Sequence, residues 1–125
     1  MSVAYADTSV FASLAFREAE AARIRRRLAG FDRVVTSVLT EAELASALRR
    51  EGVELPESPL LGVQLIDAPD PLSREIHEVF GTGYLRGADC WHVAVALNSS
   101  PDRDLTFLTF DKTQRAVASK LGFAV

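Results

Sequence analysis

Four short segments, far apart in the chain, each carry an acid at the edge of an apolar run. They read Val3-Ala4-Tyr5-Ala6-Asp7-Thr8-Ser9, Thr40-Glu41-Ala42-Glu43-Leu44, Arg86-Gly87-Ala88-Asp89-Cys90 and Phe107-Leu108-Thr109-Phe110-Asp111. A fold that gathers such carboxylates into one pocket sets like charges against each other unless a cation neutralises them. The first chemistry to consider is therefore that of a metal site. Zinc normally recruits His and Cys, and Cys90, His77 and His92 have no recognisable ligand spacing. All-oxygen coordination suits Mg²⁺ or Mn²⁺ instead. Such ions activate water, and a pair of them can clamp the attacking and leaving oxygens of a phosphodiester.

Each acid also has an ordinary structural reading. Asp7 follows a strand-like run and precedes Thr8-Ser9 and a helical pattern, so a helix N-cap and a functional role are equally open. Asp111, before Lys112-Thr113-Gln114, has the same ambiguity, with capping favoured. Thr40 and Glu43 have the spacing of a capping box, which makes a structural role the default there. Glu41 is the rival of Glu43 for any functional role, and two positions apart the pair lies on different helix faces. Asp89 opens the most apolar helix-like run of the chain, where an ionised carboxylate is expensive without a partner. That points to function. His92, one turn on, reads as a core histidine with one hydrogen bond sooner than as a ligand or base.

The elements that must position these residues alternate in type. Val3 to Ala6, Arg33 to Thr36, Val63 to Ile66 and Leu105 to Thr109 read as strands, with a further one at Phe123 to Val125. Helical patterns run from Ser9, from Glu18 to Leu28 (ended by Gly30), and over Thr40 to Arg50. Others span Pro71 to Phe80, with Pro71 in the first turn, Asp89 to Asn98, and Lys112 to Leu121. Gly52 to Pro59 reads as a loop. Such alternation predicts an α/β fold whose parallel sheet is covered on both faces. Ligands of such sheets bind beyond the carboxyl ends of the strands, where Asp7 and Asp111 lie.

A length of 125 residues fits one domain, residues 1–125, with a core that needs no disulfide or metal staple. Cys90 is the one cysteine, which points to a reducing, cytoplasmic setting. There is no membrane-length apolar run and no leader-like N-terminus. A net charge of −3 argues against a protein that coats nucleic acid electrostatically. Arg23, Arg25, Arg26 and Arg27 are nonetheless clustered, either as a solvated helix face or as a basic rim for a phosphodiester.

The four acidic segments, in this order and spacing, resemble the PIN-domain ribonucleases, and among them the VapC-type toxins of bacterial toxin–antitoxin pairs. The resemblance runs nearly end to end. It is carried by Ala4 to Val10, by Thr36 to Leu44, by Leu85 to Leu97, and by Phe107 to Asp111 followed by Ala118 and Leu121-Gly122. In the second motif the functional glutamate directly precedes the leucine, which selects Glu43 over Glu41. The resemblance implies a three-layer α/β/α fold with a mostly parallel central sheet of four to five strands. It implies Mg²⁺- or Mn²⁺-dependent endoribonuclease activity on tRNA, rRNA or mRNA. Asp7 and Asp89 would ligate the metal, Glu43 and Asp111 would hold its waters or a second ion, and Ser9 and Thr109 would support them. It further implies a cognate antitoxin that blocks the site, and a homodimer. The chain departs from the pattern in its proline-rich stretch from Gly52 to Leu65 and in the bulk of Trp91.

Two other readings compete. In the first, Asp7 is the nucleophile of an aspartyl-phosphate phosphotransferase, though the second acid expected two residues on is Ser9. In the other, the chain is a non-catalytic RNA- or protein-binding PIN module.

Overall fold

In a computed structural model, which describes residues 1–16, 18–68 and 70–125, the apolar run Val3–Ala6 forms β1. The other strands are β2 (Arg33–Ser37), β3 (Gln64–Ile66) and β4 (Thr106–Leu108). The helices are α1 (Thr8–Phe16), α2 (Glu18–Ala29), α3 (Val38–Glu51), α4 (Ser73–Thr82), α5 (Gly87–Ser99) and α6 (Lys112–Lys120). All strand pairs are parallel, in the order β3-β2-β1-β4.

The central strands explain the layering. Ala4 and Ala6 of β1 and Leu108 of β4 pack with Val10, Phe11, Ile24 and Leu44 from α1, α2 and α3. Tyr5 and Phe107 point to the opposite face, among Val79, Val93, Val95 and Val117 of α4, α5 and α6. A strand buried on both faces has no polar side to show, so its sequence reads as a continuous apolar run and not as an alternation. Tyr5 and Phe107 stack across the β1–β4 pair with centroids 5.3 Å apart and planes 7° from parallel. The helix α5 is buried over nearly its whole length from Cys90 to Leu97, as its all-round apolarity predicts.

Four sequence expectations shift. Helix α3 begins at Val38, capped by Ser37, whose hydroxyl accepts from the Leu39 N–H at 3.0 Å. Thr40 is therefore inside the helix, its hydroxyl 2.7 Å from that of Thr36, and the expected capping box with Glu43 does not form. Pro71 precedes α4, which starts at Ser73 with Leu72 at its cap. Asp89 is the third residue of α5 and not its first. The strand expected at Phe123 to Val125 is reduced to a single bridge, Ala124 to Thr106, in which Ala124 also accepts the Phe107 N–H at 2.8 Å. Its neighbour Phe123 is buried as a core side chain, which is what the apolar signal there reported.

Candidate active site

Parallel pairing puts the carboxyl ends of β1, β2 and β4 on one edge of the sheet. From β1 the chain moves outward through β2 to β3 and then returns to add β4 on the other side of β1. The order thus reverses between β1 and β4, and a crevice opens beyond the strand ends at such a switch point. Asp7 leaves β1 there, and its N–H continues the ladder by donating to the Leu108 carbonyl at 3.0 Å. Thr109 and Asp111 leave β4 beside it.

Asp7 is 5% exposed. Its Oδ1 accepts from the N–H of Ser9 at 3.0 Å and from the Ser9 hydroxyl. Burial pushes its carboxyl above the ordinary aspartate range, opposed mainly by the Ser9 hydroxyl. The same hydroxyl lies 3.4 Å from that of Thr109 and accepts from the Phe110 N–H at 3.0 Å, which ties the β1 and β4 exits together. Asp111 caps α6, its Oδ1 accepting from the Gln114 N–H at 2.7 Å. The capping reading of both acids holds, and the Thr109 side chain also bears on the Asp7 carboxylate.

Asp89 lies in the first turn of α5, half-buried, where the helix dipole favours a carboxylate. Its pKa is nevertheless raised, first by desolvation and then by the charge of Asp111, with Arg86 opposing. Glu43, on α3, is held below the usual glutamate range chiefly by its hydrogen bond with His92, with Thr8 adding to the effect. Its Oε1 lies 2.7 Å from His92 Nε2 and 2.7 Å from the Thr8 hydroxyl that donates to it. Glu41 is exposed on another face.

His92 is indeed a core histidine, 1% exposed, but both of its ring nitrogens are engaged. The Nδ1 atom meets the Tyr5 hydroxyl at 2.7 Å. Its Nε2 meets Glu43 Oε1, so the ring bridges β1 and α3 from its place on α5. Sequence reasoning missed Gln114, which is fully buried. Its side-chain amide donates to the Asp89 carbonyl at 3.1 Å, and its Oε1 accepts from Thr109 at 2.6 Å. Its signal was an apolar-stripe position, shared with Val117 and Ala118, occupied by a polar side chain. The bulky Trp91 points its indole N–H at Ser37, 3.2 Å away, at the exit of β2.

The site is thus acidic, and among the described residues Asp7, Asp89 and Asp111 form no ion pair with Lys or Arg. Nor, among those residues, do any three His, Cys, Asp or Glu stand close enough to enclose a metal ion outright. An ion that demands a full protein shell, such as structural zinc, does not suit this donor set. Mg²⁺ and Mn²⁺ do, because they accept hard oxygens, and Mg²⁺ is typically held through one or two carboxylates while keeping several waters.

The PIN-domain family model matches residues 4–120. The chain belongs to the PIN-domain family. PIN domains are generally nucleases, so this one carries a fold suited to hydrolysis of nucleic acids. No curated protein matches the chain. Within the PIN domain the arginine cluster of α2 is exposed, as a solvated face would be, but Arg27 also lines a small cleft with Thr109, Phe110 and Arg115. Among the described residues no helix is long and apolar enough to cross a membrane.

Proposed function

We propose that this PIN domain is a Mg²⁺- or Mn²⁺-dependent endoribonuclease of the VapC type, the toxin of a toxin–antitoxin pair. The observation that carries the reading is the set of acids around the β1–β4 switch point, of which Asp7, Asp89 and Asp111 form no ion pair with Lys or Arg among the described residues. Asp7 and Asp89 would hold the ion directly or through water, with Glu43 and Asp111 holding its waters or a second ion. When bound, the ion supplies an activated water and offsets the negative charge that builds at phosphorus. Ser9 holds one oxygen of Asp7 through its N–H and hydroxyl. Thr109, bonded to Gln114 and to the Asp111 N–H, fixes the β4 exit in the same way. Arg27 and Arg115, which line one cleft with Thr109 and Phe110, would meet the phosphates of an RNA strand.

Substrates in this reading are tRNA, rRNA or mRNA, and the protein acts in the cytoplasm as a homodimer until a cognate antitoxin covers the site. Exposed Leu61 and Tyr84 give apolar surface that such protein contacts can use. The deciding experiment is RNA cleavage with Mn²⁺ by the wild type, Asp7→Ala and Asp89→Ala, with folding checked by circular dichroism. Cleavage lost in both folded variants and in EDTA supports the reading. Full activity in either variant, or in EDTA, would falsify it.

A further inference from the structure

The hydrogen bonds around His92 run in one direction, and that direction ends on Glu43. Three elements contribute: Tyr5 from β1, His92 from α5 and Glu43 from α3. Burial keeps the Tyr5 phenol in its protonated form, its ionisation pushed well above the ordinary tyrosine range. That proton meets an acceptor in His92 Nδ1, 2.7 Å away. An imidazole that accepts at Nδ1 carries its hydrogen on Nε2. That hydrogen faces Glu43 Oε1 at 2.7 Å, and an ionised carboxylate can only accept. The other tautomer would set a nitrogen lone pair against a carboxylate oxygen at the same distance.

Thr8 supplies a second donor to that oxygen, from α1. Two bonds therefore pin Oε1, and among the described residues Oε2 receives none. The pinning groups are themselves rigid. Tyr5 is stacked on Phe107, and its ring meets that of His92 edge-on, with centroids 5.9 Å apart.

We propose that Tyr5 and His92 are positioning residues for Glu43. The phenol selects the Nε2–H tautomer of His92, and the imidazole holds one oxygen of Glu43 so that the other is presented to the cleft. The proposal rests on the reading of Glu43 as a residue of the metal site. A glutamate is a long side chain that wanders when unrestrained, and fixing it before the ion arrives is what a supporting hydrogen bond does for a ligand.

The test uses Tyr5→Phe, which removes the hydroxyl and keeps the ring and its stacking. Nitrogen-15 NMR of the histidine ring reads the tautomer, and titration calorimetry reads Mn²⁺ binding with no RNA present. The wild type is expected to hold His92 as Nε2–H. Tyr5→Phe should bring in the Nδ1–H form and weaken Mn²⁺ by about 10- to 100-fold, the usual cost of losing such a supporting partner. A glutamine at position 92 can donate to Glu43 without a tautomer to select. In a His92→Gln background, adding Tyr5→Phe should therefore change Mn²⁺ affinity no further, even if Tyr5→Phe alone fails to fold. An unchanged tautomer and unchanged Mn²⁺ affinity in Tyr5→Phe overturn the proposal, as does a full Tyr5→Phe effect on Mn²⁺ in the glutamine background. The two readings fail separately. A wild type that binds Mn²⁺ with the expected tautomer but cuts no RNA removes the nuclease and keeps the relay.

Discussion

Gln114 donates its side-chain amide to the backbone carbonyl of Asp89 at 3.1 Å, across the gap between α6 and the first turn of α5. The same side chain accepts from Thr109, and the backbone N–H of Gln114 donates to Asp111. One buried residue thus ties together two of the four acidic segments, that of Asp89 and that of Thr109 and Asp111.

Substituting it tests that role. Gln114→Ala removes a donor from the Asp89 carbonyl and leaves the buried Thr109 hydroxyl without its acceptor, and should cost about 1–3 kcal/mol in urea unfolding. Gln114→Glu should cost at least as much, because a carboxylate oxygen would replace the donor that faces the Asp89 carbonyl. A loss below about 0.5 kcal/mol in both would mean that Gln114 sets nothing.

Asp7 should show a trade between stability and activity. Its carboxyl is raised by burial, so in the ion-free protein the contribution it makes to folding is full below the ordinary aspartate range. That contribution is lost as pH rises through the folded value. At pH 7 the charge is a liability, and Asp7→Asn keeps an acceptor for the Ser9 N–H while removing it. In EDTA the variant should melt about 2–4 °C above the wild type. Its RNA cleavage with Mn²⁺ should fall about 100-fold or more, equivalent to roughly 3 kcal/mol of lost transition-state stabilisation. Mg²⁺ should then raise the melting temperature of the wild type and leave that of Asp7→Asn nearly unmoved. Equal Mg²⁺ shifts in both would speak against Asp7 as a ligand.

Glu43 should behave with the opposite sign. Its carboxyl is lowered by the bond to His92, so its contribution is present above the ordinary glutamate range and is lost as pH falls through the folded value. The stability gap between wild type and Glu43→Gln should therefore narrow between pH 6 and pH 3. Solvent reaches this side chain, which keeps the effect small. Urea midpoints across that range measure it, and a gap that widens toward acid contradicts the assignment.

Gly83, after α4, is crowded, since a Cβ there would lie 3.0 Å from the Val117 methyl on α6, which would have to give way. Its backbone is extended, with φ of 179°, so crowding and not conformation is the objection to a larger residue. Gly83→Ala should cost about 1–2 kcal/mol. Val117→Ala should absorb part of that cost, so the double variant should be more stable than the sum of the single losses requires. Strict additivity would place the cause elsewhere.

The sequence spoke clearly where one physical signal dominated. Val3 to Ala6 reads as a buried strand because both its faces are covered, and α5 reads as a core helix for the same reason. Asp7 and Asp111 were legible as acids past strand ends, since a parallel sheet leaves few other places for them. The signal failed where two candidates competed locally. Ser37 and Thr40 are both able to cap α3, and Ser37 wins because β2 runs straight into the helix without a loop. Glu43 was separable from Glu41 only through family resemblance, because its partners Thr8 and His92 come from other elements. Gln114 gave only the signal of a polar residue on an apolar stripe, and neither it nor Tyr5 showed locally that it would meet a distant acid.

The pairing of β1 with β4 has a consequence in time. Ala4 is registered against Thr106, about a hundred residues later, and the crevice does not exist until that pair forms. While the polypeptide is being made, Asp7 and Glu43 emerge long before the strand that completes their surroundings. A cleft built on this crossover stays incompetent on the ribosome until β4 and Asp111 have been translated. If the protein cuts RNA as proposed, that activity would thereby be withheld from the machine that is synthesising it.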